Sequence, residues 1–218
     1  MSDVKGKKSR RQYRSPVRED AARRTRQAIV AAATDLFVAR GYAATSLADI
    51  AAAAGVARPT VFAAFGSKPA LLKQVLDQAL AGDDAPVPVA ERPWFRPVWD
   101  AATPAEVFDA YADVCVVIAG RAARLFETVR RAADDAPEVA ALWTVLQDNR
   151  RAGAAMVLDR VRTLGPLAPH LDTDSATDIL WIFNDPAHYL ALVLHRGWSE
   201  PAFRHWLAAA MRHALLPG

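Results

Sequence analysis

Catalysis or metal binding would need histidine, cysteine and carboxylate side chains at matching spacing, and the chain has few such groupings. Its histidines are His170, His188, His195, His205 and His213. Asp185 and His188 lie close together on a helical reading, and His188 and His195 can share a face. No third ligand or nucleophile follows at a matching interval. Cys115 stands among Val114, Val116, Val117 and Ile118, which reads as an inert core thiol. A single cysteine excludes an internal disulfide and a cysteine-based zinc or iron–sulfur site. No catalytic residue, metal ligand or cofactor is therefore assigned. A different chemistry stands out in the first third. Residues 1–80 hold 14 Lys and Arg against 6 Asp and Glu, a net of +8, whereas residues 81–218 hold 13 against 18, a net of −5. One part is suited to meet a polyanion and the other is not. Within that basic part, Arg58, Thr60 and Phe62 offer a guanidinium, a hydroxyl and a ring along one short segment.

The elements that must position these groups are helical. Alanine fills 47 of 218 positions and glycine only 10, and alanine is the strongest helix former. No stretch alternates with period two for long enough to make a strand, so the fold class is all-α. Residues 1–18 carry Lys5, Lys7, Lys8, Arg10, Arg11, Arg14 and Arg18 with almost nothing to bury, and are expected to form a flexible basic arm. A first helix is expected from about Glu19, with Ile29, Ala33, Leu36 and Phe37 on one face and Gly41 at its end. Ser46 and Asp49 form an approximate capping box for a second helix, and Thr45 is a further possible cap. Pro59 fits the first turn of a third helix, and Ser67 caps a fourth that runs to about residue 82. Prolines 86, 88, 93, 97 and 104 mark residues 83–104 as a linker lying on the surface. Long helices are expected beyond it, over 105–133, 137–164, 174–196 and 199–216. Pro186 predicts a kink there or a break recapped by Asp185.

The most specific signal is Leu47 to Val61. Two helices joined by about three residues with a glycine in the turn make a helix-turn-helix. Ala51 must be small for a close crossing, Gly55 must take a positive φ, and Val61 must be apolar to seat the second helix on the first. Lys68 lies in the first turn of the next helix, where a cation opposes the helix dipole. That placement makes sense if a phosphate approaches the same end.

Residues 24–72 resemble the DNA-binding domain of the TetR family of transcriptional regulators. The matching stretch is Arg26, Ile29, Ala33, Leu36-Phe37, Gly41-Tyr42, Thr45, Ile50-Ala51, Ala54-Gly55-Val56, Thr60-Val61-Phe62, Phe65, Ser67-Lys68 and Leu71. The resemblance implies a three-helix head over 19–66, a connecting helix over 67–82, and a larger ligand-binding and dimerisation domain over 105–218. It also implies a homodimer through helices 174–196 and 199–216 that binds a pseudo-palindromic double-stranded DNA operator. The apolar residues Phe203, Trp206, Leu207, Ala210, Met211, Ala214 and Leu215 give that pairing some independent support. In such a dimer Thr45 or Ser46, Lys68 and arm residues including Arg23, Arg24 and Arg26 would contact phosphates, and Arg58, Thr60 and Phe62 would meet base edges or thymine methyls. The sequence departs from the family pattern at Ala57, where a capping Ser or Thr is usual, at Phe62, where Tyr is usual, and at Ala63 and Ala64. These departures leave the base-reading set thin. A small lipophilic effector would bind among helices 105–133, 137–164 and 174–196, with Tyr111, Cys115, Trp143, Gln147 and Trp181 as candidate liners. The expected activity is a repressor released by that effector.

The remaining composition fits this reading. Apolar residues make up 52% and charged residues 23%, ordinary for a packed globular chain. No apolar run reaches the ~18–20 residues needed to cross a bilayer, and the basic start has no apolar stretch behind it. A cytoplasmic protein without membrane contact is expected. A helical enzyme and a helical adaptor whose arm meets acidic proteins are the rival classes, and selection of discrete DNA fragments separates them from a regulator.

Overall fold

The structure, a computed structural model, describes residues 16–217. The basic arm falls at 1–15 outside the described residues. Its last three residues, 16–18, are already helical, so the first helix starts earlier than Glu19. That helix, α1, spans Pro16–Arg40. Next come α2 (Leu47–Ala53), α3 (Arg58–Phe65) and α4 (Lys68–Ala81). A 3-10 turn at Val89–Glu91 and a short α5 (Arg96–Asp100) precede the long helices α6 (Pro104–Ala133) and α7 (Pro137–Leu164). Among the described residues no strand occurs.

Local chemistry sets most of these boundaries. Ser46 and Asp49 complete a true capping box: the Asp49 N–H donates to Ser46 Oγ at 3.1 Å, and the Ser46 N–H donates to Asp49 Oδ2 at 2.9 Å. The Ser46 hydroxyl, followed by the Ser46 N–H, donates to the Asp49 carboxylate and holds it below its usual range. Ser67, Thr103, Asp172 and Ser199 cap α4, α6, α8 (Thr173–Phe183) and α10 (Glu200–Leu215) one way, each side chain accepting from the backbone N–H three residues on. Pro186 breaks the helix expected over 174–196. Asp185 recaps the chain by accepting from the Ala187 N–H at 2.8 Å, so α9 is only Pro186–Tyr189 and continues into a π-helical segment, Leu190–His195.

Packing produces two apolar clusters rather than one per domain. The first is the core of the body, with Phe108, Tyr111, Leu158, Leu180, Phe203, Leu207 and Met211 buried together. The second joins the head to the body: Ile29, Phe37, Ile50, Val61, Leu71 and Leu76 pack with Leu125, Phe126 and Val129 of α6 and Val139 and Leu146 of α7. Helix α6 therefore runs through both cores. Thr128 Oγ1 donates to Phe37 O at 3.3 Å across the same seam. The Tyr42 hydroxyl meets Glu138 at 3.5 Å, and burial together with that carboxylate pushes the phenol up to about 12.

The proline-rich segment is not a plain linker. Arg92 is 5% exposed and organises it. Its Nη1 donates to both Asp83 carboxylate oxygens at 2.7 Å, its Nη2 to Ala85 O at 2.9 Å and its Nε to Val87 O at 3.1 Å. Phe95 is buried and stacks on Trp99 at 5.1 Å. The segment forms a strap packed against the body. Gln27 Nε2 of α1 donates to Asp84 Oδ2 at 3.2 Å, which ties the strap to the head.

Candidate nucleic-acid interface and internal cavity

The corner between α2 and α3 turns the chain by 109°, within the range of helix-turn-helix units. Ala51 and Val61 are buried at 3% and 0%, and Gly55 takes φ +67°. Val61 is the only inward anchor among Arg58–Phe62, so its neighbours are turned out. Arg58 and Thr60 are exposed, and Phe62 is 63% exposed. Single exposed apolar side chains are common on protein surfaces; what marks Phe62 is its place beside the exposed Arg58 and Thr60 on one short helix. Ala57 caps α3 without a side-chain bond, as its alanine side chain dictates. This helix, as a rigid rod on a packed base, presents a donor, a hydroxyl and an apolar ring side by side.

The phosphate-contact set needs revision. Thr45 is 1% exposed, and its hydroxyl donates to Gly41 O at 2.8 Å, so it closes the α1–α2 turn and does not face out. Ser46 is exposed, but its hydroxyl donates to Asp49 Oδ2 at 2.6 Å. Lys68 is half-buried. Its ammonium donates to Tyr42 O at 2.9 Å and Thr45 O at 3.1 Å and lies 4.0 Å from the Tyr42 ring centre. Two of its three N–H groups are thus spent on the α1–α2 turn. Those carbonyls and the ring face answer the unfavourable dipole that had suggested a phosphate. Burial lowers the Lys68 pKa, and Glu138 opposes that shift. Arg26 is engaged too: its Nη1 donates to Ala64 O at 2.6 Å and its guanidinium lies over Phe65 at 4.5 Å, fixing the end of α3. Arg23 pairs with Asp20 at 3.3 Å. Arg24 is exposed on the same helix.

Lys68→Met should therefore act first on the head. Losing two charge-assisted bonds and a ring contact, less the relief of desolvation, is expected to cost about 1–2 kcal/mol. Urea unfolding would read this as a lower midpoint with an unchanged slope. A purely solvent-exposed lysine would leave the midpoint within about 0.5 kcal/mol of the parent.

The body contains a cavity of about 780 Å³ between α4, the strap, α6 and α7. Tyr111 and Cys115 line it, as the sequence suggests. Trp143, Gln147 and Trp181 do not. Trp143 packs edge-on against Phe126 at 6.2 Å in the head-side cluster. Gln147 and Trp181 instead hold Arg150, whose Nη1 donates to Gln147 Oε1 at 2.5 Å and whose Nη2 donates to Trp181 O at 2.7 Å. Arg150 itself lines the cavity, as do Asn184 and the strap residues Val87 and Val89. The sequence reading missed these four. Arg150 also pairs with Asp185 at 3.0 Å; burial lowers its pKa and Asp185 opposes that. Burial pushes the Cys115 thiol up to about 12, so it stays neutral. Burial likewise drives the Tyr111 phenol upward.

The histidines do not converge. His188 Nε2 lies 2.9 Å from Ile182 O, and Asp185 is taken by the cap and by Arg150. His195 faces a separate polar groove beside Arg40, Arg124 and Arg131. Among the described residues no group of three His, Cys, Asp or Glu could hold a metal ion, and no single helix is long and apolar enough to cross a membrane.

Residues 29–75 match the family described as bacterial regulatory proteins, tetR family. The HTH-type transcriptional repressor Rv3405c of Mycobacterium tuberculosis is 46% identical over 71 residues, 30% of this chain and 38% of the relative. The chain thus spans about 38% of the length of the curated relatives it matches. Among solved structures, NalD, the secondary repressor of the MexAB-OprM multidrug efflux pump in Pseudomonas aeruginosa, aligns with a TM-score of 0.64 at 20% identity over 89% of this chain and 98% of that one. A transcriptional regulator from Saccharomonospora viridis in complex with choline aligns with a TM-score of 0.66 at 20% identity over 90% and 98%. At these identities the likeness is one of fold.

Proposed function

We propose that this chain, whose residues 29–75 match the tetR family of bacterial regulatory proteins, is a sequence-specific DNA-binding regulator of that family. In this reading it acts as a homodimer on a pseudo-palindromic operator, represses transcription, and is released by a small lipophilic effector in the body cavity. One observation carries the DNA reading: Val61 is fully buried while Arg58, Thr60 and Phe62 are turned out on a helix that leaves α2 at 109°. Such a helix fits a major groove, and two of them in a dimer would enter successive grooves about one helical turn apart. Arg58, Thr60 and Phe62 would read bases; Arg24 and the basic arm would follow the backbone.

The twofold mate would pack on the last two long helical stretches. Phe203, Leu207, Met211 and Leu215 are spent on the protomer's own core, which leaves Trp206, Ala210 and Ala214 with Ile182, 51% exposed, for the partner. Repression is extended from the similar proteins named as repressors. Release would follow if the effector favours a body conformation that mis-spaces the two heads.

Sheared genomic DNA in a gel shift tests this. Discrete fragments should be selected, with affinity falling steeply as salt rises. Uniform retardation of every fragment, or none, would contradict it.

A further inference from the structure

The cavity's inner end has an imbalance of donors and acceptors that bears on what it binds. Its walls are mostly apolar, with Val87, Val114, Ile118, Phe126, Leu146 and Met156 among them. At the inner end the polar atoms hold one another. Asn184 is spent: its Oδ1 accepts from Arg150 Nε at 3.1 Å, and its Nδ2 donates to Tyr111 Oη at 3.0 Å and to Arg150 O at 3.3 Å. Arg150 has used four of its five N–H groups, on Asn184, Gln147, Asp185 and Trp181. Its charge is offset by Asp185. Tyr111 is 5% exposed and accepts from Asn184, while its own hydroxyl proton has no acceptor among the described residues. Cys115 adds a neutral thiol, a weak donor. The unspent capacity at this end is therefore donor capacity without net charge.

We propose that this end reads an uncharged hydrogen-bond acceptor, so that the ligand is a predominantly apolar molecule carrying a carbonyl- or ether-type oxygen rather than an acid or an amine. The proposal rests on the effector reading of the cavity and adds the ligand's class. A carboxylate would have to shed its water beside a guanidinium already neutralised by Asp185. An ammonium would bring donors to donors. At the mouth Asp77 pairs with Lys73 at 2.6 Å and Asp83 with Arg92 at 2.7 Å, while Asp84 accepts from the Gln27 amide at 3.2 Å.

Calorimetric titration of the full chain, without DNA, with methyl octanoate, octanoate and octylammonium at neutral pH tests the assignment. The ester should bind at least about tenfold more tightly than either ion. Tyr111→Phe keeps the ring and should lower ester affinity about tenfold. Equal or tighter binding of either ion, an unchanged ester affinity in Tyr111→Phe, or no binding of the ester overturns the proposal. The ranking of probes on the parent protein stands independently of the variant's folding. Release of operator DNA is read separately: an ester that binds without releasing DNA would overturn the effector role and leave the ligand class intact.

Discussion

Replacing Arg92 by alanine is expected to lower the unfolding free energy by about 2–4 kcal/mol, among the largest effects of any substitution outside the two cores. The reason lies in what the guanidinium leaves behind. Asp83 is more than half exposed and regains water at little cost. The carbonyls of Ala85 and Val87 lose the donor that folds the strap over the cavity. A side chain only 6% exposed also leaves a void. Nearby, Gly82 ends α4 at φ +95°, a left-handed conformation that favours glycine at the start of the strap. Arg92→Lys keeps the charge but not the fork and should recover less than half of the loss. Urea unfolding gives the magnitude, and limited proteolysis should show new cleavage within residues 83–92. A loss below about 0.5 kcal/mol, with no new cleavage, would show that the strap holds without its arginine.

The second large effect concerns recognition. Arg58→Ala combined with Thr60→Ala is expected to reduce the preference for operator over scrambled duplex by about 100-fold or more, since each base contact contributes about 1–3 kcal/mol of discrimination. Binding to the scrambled duplex should fall only several-fold, through the lost guanidinium charge. Both side chains are exposed and neither supports Val61, so the head should unfold at its usual midpoint. Competition between the two duplexes at fixed salt reads the ratio. An unchanged ratio would remove α3 from sequence reading.

The helix-turn-helix was legible in the sequence because its determinants are local. Ala51, Gly55 and Val61 lie within eleven residues, and the Ser46–Asp49 capping box acts over three. Pro186 could be flagged for the same reason, and Asp185 beside it indicated the recap. What could not be read was the direction of polar side chains whose partners are distant. Lys68 reaches carbonyls 23 and 26 residues earlier, and Arg26 reaches one 38 residues later; both look like solvent-facing cations on a helical wheel. Thr45 looked like a free hydroxyl because its burial comes from the packed turn around it. The strap was hidden for a related reason: prolines announce irregular backbone, but the folding of that backbone around Arg92 depends on three carbonyl and carboxylate partners that composition does not reveal. Arg150 sat in a pair, Arg150-Arg151, of which one member turns inward to Asp185 and the other outward to Asp178 at 2.7 Å.

Methylation interference on a duplex selected by the protein from random DNA tests most directly whether α3 enters the major groove of a twofold site. Methyl groups on guanine N7 lie in that groove. They are expected to block binding in two clusters centred about one helical turn apart. Binding indifferent to N7 methylation, or blocked in a single cluster, would contradict it.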